Sequence, residues 1–306
     1  AELLPDIAIS LSSDVAPEIR EYERASTTVA NAYIKPLARD YLDALGSRLG
    51  DRAITAPLLL MLSSGGLTHV GEVRRSPVQM LESGPAAGAL AAADIGRAEG
   101  LEHVLAFDMG GTTAKLCLID GDEPDIAYRF EAARERRFAE GSGLPIRIST
   151  VELIEIGAGG GSIARIDALG LLKAGPDSAG AVPGPVAYGR GGTAPTVTDA
   201  DFALGFLGAE GFAGGAIEVD LAATRDALEK LAEQADLSAE KIAWGVHDLV
   251  NENMASAARV HIAEKGRDPR AYTLVATGGA GPVHAYYMAR KLGIKRIVCP
   301  RNAGVA

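Results

Sequence analysis

The stretch Phe107-Asp108-Met109-Gly110-Gly111-Thr112-Thr113-Ala114-Lys115 decides how the rest of the chain is read. An apolar run, His103 to Phe107, delivers an aspartate. Two glycines and two threonines follow, and a second apolar run, Ala114 to Ile119, leaves. This spacing predicts a hairpin, unlike the strand-to-helix passage of a Rossmann or Walker loop. Gly110 and Gly111 can take positive φ and leave their N–H groups pointing outward. Thr112 and Thr113 add hydroxyl donors, and Asp108 stands where it can hold a divalent cation directly or through water. The set suits a polyphosphate and its metal. The competing reading is a plain glycine hairpin whose aspartate caps its own turn.

About 170 residues downstream lies Thr277-Gly278-Gly279-Ala280-Gly281-Pro282-Val283-His284. Here the strand Leu274 to Ala276 is expected to pass through a glycine turn into a helix, Pro282 to Leu292, with proline in its first turn. The free N–H groups of such a turn can face a phosphate or a nucleoside edge, or can serve a tight turn with no ligand. Two glycine loops of this kind in one chain favour a nucleotide more than either does alone.

Outward from these loops, strand and helix alternate. Residues 17–49 read as a helix interrupted by Pro36 and opened by Pro17-Glu18. A strand is expected at 57–63, a helix rich in alanine and glycine at 83–98, and helices at 220–235 and 239–265. The last carries the stripe Ile242, Val246, Leu249, Val250, Ala257, Val260. A strand at Arg296 to Cys299 closes the pattern. This alternation predicts an α/β fold. Residues 120–150 are charged and irregular, with Arg134, Arg136 and Arg137 clustered. Residues 151–192 are rich in glycine and proline, a length at which loops are usually functional or disordered.

Composition narrows the function. The net charge of −10 argues against phosphate-backbone binding, so no nucleic-acid partner is expected. No apolar run reaches the roughly 18 residues of a membrane helix, and no signal peptide is read, so a cytoplasmic protein is expected. The two cysteines, Cys117 and Cys299, read as reduced core thiols. A first residue other than Met and an abrupt end at Gly304-Val305-Ala306 suggest a piece of a longer polypeptide.

The loop pair resembles the sugar kinase and actin superfamily. More narrowly, the chain resembles the hydantoinase A / 5-oxoprolinase / acetone carboxylase β-subunit family. The resemblance runs through Arg20 to Val29 with Asn31-Ala-Tyr33, Ser63 to Gly66, Ser83 to Gly88 and Phe107 to Thr112. It continues through Ile156 to Ile163, Pro183 to Pro185, Tyr188 to Gly192, Pro195 to Asp201 and Thr277 to Pro282.

The resemblance implies an actin-like (ribonuclease-H-like) mixed sheet flanked by helices, and an enzyme using ATP with Mg2+ or Mn2+ to open a cyclic amide of the hydantoin or 5-oxoproline type. A ketone carboxylase subunit and a nucleotide-gated subunit without chemistry are the alternatives. A second subunit of the hydantoinase B type is an implied partner. The chain is taken as one central domain over 1–306, divisible into a helical part, 1–100, and an actin-like half, 101–306, lacking an N-terminal domain with its own phosphate hairpin.

The implied cofactor-binding residues are Asp108, Gly110, Gly111, Thr112, Thr113, Lys115, Gly278, Gly279 and Gly281. Asp108, Asp199 and Asp201 are the candidate metal ligands. Many relatives carry an aspartate where this chain has Lys115, which either reaches a phosphate or is a solvated strand residue. Asp199 and Asp201 also read as first-turn carboxylates of a helix, Asp199 to Leu207. Gly159-Gly160-Gly161-Ser162 and Tyr188 to Gly192 read either as backbone around a ligand or as glycine turns. Arg20, Glu21, Glu23 and Arg24 read as a salt-bridged helix face. His69, His103, His247, His261 and His284 lack metal-site spacing, and His261 is expected to be a satisfied core histidine.

Overall fold

A computed structural model describes residues 7–132 and 141–305. The cluster Arg134, Arg136 and Arg137 lies outside the described residues. The chain forms two compact units, residues 1–90 with 124–152, and residues 91–123 with 153–306.

In the first unit the long helix α1, Glu21–Asp51, starts four residues later than expected, and Pro36 lies inside it without ending it. The segment opening α1 grips a strand. Ser26 Oγ donates to Pro145 O at 2.7 Å, and Thr27 Oγ1 accepts from Arg147 N at 2.8 Å. Of the expected salt-bridged face only the Arg20–Glu23 pair forms among these four residues, and Arg24 donates to Glu18 O instead. Glu23 lies 3.8 Å from Arg20 and 3.9 Å from Arg147. A small core of Val15, Val78, Ile146 and Ile148 packs against Ala30 and Ile34 of α1.

The second unit is built on a five-stranded sheet. Its strands are β1 His103–Met109, β2 Ala114–Asp120, β3 Ile154–Ile156, β6 Thr273–Thr277 and β7 Arg296–Val298. A separate hairpin pairs β4 Ser162–Ile166 with β5 Leu172–Ser178. The sheet order is β7-β6-β1-β2-β3. The pairs β7–β6 and β6–β1 are parallel, and β1–β2 and β2–β3 are antiparallel. The hairpin read at Asp108 is therefore real, and the sheet is mixed. The stretch 151–192 holds three strands rather than a single loop.

The longer helices further along the chain are α2 Ser83–Ala98, α3 Val197–Ala203, α4 Leu221–Gln234, α5 Ala239–Glu264 and α6 Gly281–Leu292. Alternation decides what each strand face meets. Leu105, Phe107 and Met109 join Val246, Val250, Met254 and Met288 in the main core. Each such buried side chain contributes about 1.5–3 kcal/mol. On the other face, a Cβ at Gly96 would lie 2.8 Å from Val104 Cγ2, so the small residues of α2 do allow the expected close approach to the strand.

Three expectations fail. Cys299 is exposed, because β7 is an edge strand that ends before it. Val260 is 44% exposed and lies off the buried stripe of α5. His261 is only half-buried, and the fully buried histidine of α5 is His247. Among the described residues, no helix is long and apolar enough to cross a membrane.

Candidate functional site

Parallel pairing sets Thr277 opposite Asp108, so both glycine loops leave the same end of the sheet. The turn between β1 and β2 closes with Gly110 N–H donating to Thr113 O at 3.1 Å. The second loop docks on it through Ala280 N–H, which donates to Met109 O at 2.9 Å. Gly278 has φ +81°, and a Cβ there would collide with Asp108 Oδ1 and Met109 O. Glycine is therefore what lets this loop lie on the aspartate.

A third loop, at the sequence Gly159-Gly160-Gly161, completes the arrangement. Gly160 N–H donates to Gly110 O at 3.0 Å, and Gly161 N–H donates to Gly111 O at 2.6 Å. A Cβ on Gly159 would lie 2.6 Å from the carbonyl carbon of Thr112. The triple glycine thus clamps the hairpin backbone. These bonds fix the orientation of the turn, and neither Gly110 nor Gly111 uses the positive φ open to glycine. Gly111 and Thr112 are exposed, and a Cβ built on Gly111 or Gly279 would meet nothing within 4 Å. The tip of the hairpin and the crest of the second loop therefore open onto free space.

Asp108 is half-buried and carries no hydrogen bond among the described residues. Burial pushes its carboxyl above the usual carboxylate range, and the ammonium of Lys115 only partly opposes this. Lys115 is its cross-strand partner and lies 3.8 Å from Glu155. With 12% of its side chain exposed, Lys115 is not a solvated strand residue.

The other two carboxylates differ from Asp108. Helix α3 begins at Val197, two residues before Asp199, with Thr196 as its N-cap in a reciprocal capping box. Asp199 is fully buried, and its oxygens accept from Val186 N (3.2 Å), Ala187 N (2.7 Å), Thr196 N (2.8 Å) and Thr196 Oγ1 (2.8 Å). The lone pairs a metal would need are committed to the fold, so the capping reading holds and the ligand reading does not. Asp201, also on α3, points at two buried histidines. His247 Nδ1 lies 2.7 Å from Oδ1, and His284 Nε2 lies 3.2 Å from Oδ2. Burial tends to raise the Asp201 carboxyl, but the two imidazoles outweigh it and hold the carboxyl below the usual range.

The structure thus gathers Asp108, Gly110 to Thr113, Lys115, Gly278, Gly279 and Gly281 around one end of the sheet. Asp199 and Asp201 join from beneath through α3, whose Thr198 N–H donates to Gly160 O at 2.7 Å. Residue spacing missed His247 and His284 as partners of Asp201, because 46 and 83 residues separate them from it in sequence.

Comparison with known proteins gives a consistent picture. The family described as hydantoinase/oxoprolinase matches residues 24–306. The chain is 41% identical to the protein MJ0964 of Methanocaldococcus jannaschii over 99% of its own length and 45% of that protein. It is 37% identical to the caprolactamase subunit alpha of Pseudomonas jessenii, covering 98% of this chain and 42% of that subunit. A solved nucleotide-free structure of acetone carboxylase, from work on ATP-dependent acetone carboxylation, superposes with a TM-score of 0.84 at 28% identity, over 96% of this chain and 40% of that one. The chain spans less than half the length of these relatives.

Proposed function

The chain belongs to the hydantoinase/oxoprolinase family, and from that premise we propose that it supplies most of an ATP site used to hydrolyse a cyclic amide. Its fold is the actin-like α/β mixed sheet flanked by helices. The observation that carries the proposal is Asp108, a half-buried carboxylate raised by burial, beside an open, backbone-lined cradle. A desolvated carboxylate with no hydrogen bond is the group a hydrated Mg2+ or Mn2+ would satisfy.

In this reading Asp108 holds the metal. Gly111, Thr112 and Thr113 present backbone N–H and hydroxyl donors to phosphate oxygens, while Gly110 closes the turn with its own N–H. Lys115 adds positive charge behind Asp108, and Gly278, Gly279 and Gly281 line the nucleoside side. ATP bound there would pass its γ-phosphoryl group to the amide oxygen and leave as ADP; a first water could then add to the activated carbon and the C–N bond open to an amine and an acyl phosphate, from which a second water would release orthophosphate and the carboxylate. Such transfer asks mainly for positioning and neutralised charge, which are what the three clamped glycine loops provide. Asp199 acts here as the anchor of α3 rather than as a ligand.

The substrate is read as a lactam or imide ring of the hydantoin or 5-oxoproline type. The caprolactamase likeness supports it, and the subunit name of that relative supports a partner chain, read as hydantoinase B type. A second reading, ATP-dependent ketone carboxylation, is favoured by the 0.84 TM-score to acetone carboxylase. Calorimetric titration of Mg·ATP into the full-length protein tests the site. Asp108→Ala should weaken binding at least about a hundredfold, equivalent to roughly 3 kcal/mol. Unchanged affinity in a folded variant would sink the proposal. A panel of lactams, hydantoins and ketones, scored for ADP release with the partner subunit present, then separates hydrolase, carboxylase and a subunit that binds without turnover.

A further inference from the structure

Beneath the nucleotide-side loops, Asp201 of α3, His247 of α5 and His284 of α6 converge in the interior, with exposures of 2%, 0% and 0%. One ligand atom from each lies within 4.8 Å of the others. We propose that these three residues bind a divalent first-row transition metal such as Zn2+, distinct from the ion that accompanies ATP.

Asn251 Nδ2 donates to His247 O at 2.8 Å, and a carbonyl only accepts, so the amide orientation is fixed. Asn251 Oδ1 then faces His284 Nδ1 at 3.2 Å, and that nitrogen must be the N–H. With Nδ1 as the N–H, His284 Nε2 faces the Asp201 carboxylate at 3.2 Å, and a cation, either a proton or a metal ion, must lie between the two.

His247 points the same way. Its Nε2 is buried with no hydrogen-bond partner among the described residues. The His247 ring packs among those of Phe206, Trp244 and Tyr287, at centroid-to-centroid distances of 4.8, 5.8 and 5.0 Å, and stacks on His284 at 4.7 Å. Aromatic faces receive an N–H favourably but leave a lone pair unsatisfied. His247 Nδ1, 2.7 Å from Asp201 Oδ1, is the nitrogen that a metal between the two would take.

Two imidazole nitrogens and one carboxylate then share a centre, a donor set that suits Zn2+, Fe2+ or Mn2+. The observed nitrogen–oxygen separations of 2.7 and 3.2 Å are shorter than the roughly 3.4 Å edges of a tetrahedral site with bonds of about 2.1 Å, so an ion would spread the three side chains by a few tenths of an ångström or more. Asn251 holds the distal N–H of His284, as outer-shell acceptors commonly do for metal-bound histidine. Such an ion would tie α3, α5 and α6 together. Because α6 starts at Gly281, it would also fix the loop that lies over Asp108.

The test uses the full-length, tag-free protein, dialysed and assayed by plasma mass spectrometry, with the variants Asp201→Asn, His247→Gln and His284→Gln beside Asp108→Ala. Wild type and Asp108→Ala should retain about one equivalent of transition metal more than each triad variant. Chelation should lower the wild-type Tm, Zn2+ should restore it, and Co2+ added to the stripped protein should develop a d–d absorption band. If triad variants fail to fold, the wild-type Tm and Co2+ titrations decide alone. A wild-type protein with no stoichiometric metal, no Tm response and no Co2+ band would overturn the proposal and leave a protonated hydrogen-bond network. Loss of the metal in Asp108→Ala would also overturn it, by assigning the ion to the nucleotide site.

Discussion

Asp108 and Asp199 are both withdrawn from solvent, yet one keeps its lone pairs and the other gives them to the backbone. Asp199→Ala removes a cap and strands the buried N–H groups of Val186, Ala187 and Thr196. A loss of roughly 2–4 kcal/mol should follow, read as a lower midpoint in urea denaturation with the m-value unchanged. Asp120 gives a prediction in pH. Burial acts to raise its carboxyl, but hydrogen bonds from Tyr272 and His103 and the charge of Arg267 hold it below 3.8. Its folded pKa lies under its unfolded value, so its stabilisation is present above pH 3.8 and is lost as pH falls through the folded value. Asp120→Asn should therefore cost about 1 kcal/mol near neutrality, allowing for solvent screening, and nothing once wild-type Asp120 is protonated in both states. Denaturation curves of both proteins between pH 2 and 7 check this.

Among elements, the decisive contacts are backbone on backbone. The loop around Gly159 to Gly161 touches the hairpin through main-chain atoms, with no space for a methyl group. Gly159→Ala should push the hairpin tip aside, cost on the order of 1–3 kcal/mol, and weaken Mg·ATP binding more than that loss of global stability accounts for. Paired thermal scans and titrations measure both, and an alanine variant with wild-type affinity would show that the clamp does not shape the cradle. Much of this was legible beforehand. The hairpin at Asp108, the strand–turn–helix at Thr277 and the helices 221–234 and 239–264 follow from apolar periodicity and glycine placement, both local signals. What the third loop is for was not legible, since a glycine required by close approach of a distant backbone looks in sequence like any turn glycine. The same limit hid the Asp201–His247–His284 group, whose members come from three helices.

On the scale of the molecule, one unit holds every residue assigned to the nucleotide cradle, although segments far apart in sequence build it. Strand β6 sits between β1 and β7 and carries the second loop. The family match runs from residue 24, so the α1 segment that grips the strand at 144–146 is part of the family pattern although it lies in the first unit. That grip, through Ser26 and Thr27, gives the segment a structural reason to be there.

The pairing of β1 with β6 also bears on how the protein is made. Thr277 meets Phe107 across 170 residues of chain. At about 5–20 residues per second, a ribosome needs roughly 10–30 s to deliver β6 after β1 has emerged. Through that interval the apolar β1–β2 hairpin lacks its parallel neighbour, and closing so long a loop makes the pairing intrinsically slow. Arrested nascent chains ending before residue 273 should leave Phe107 open to protease, whereas chains with β6 clear of the exit tunnel should protect it. The wait makes the hairpin an expected client of holding chaperones during synthesis.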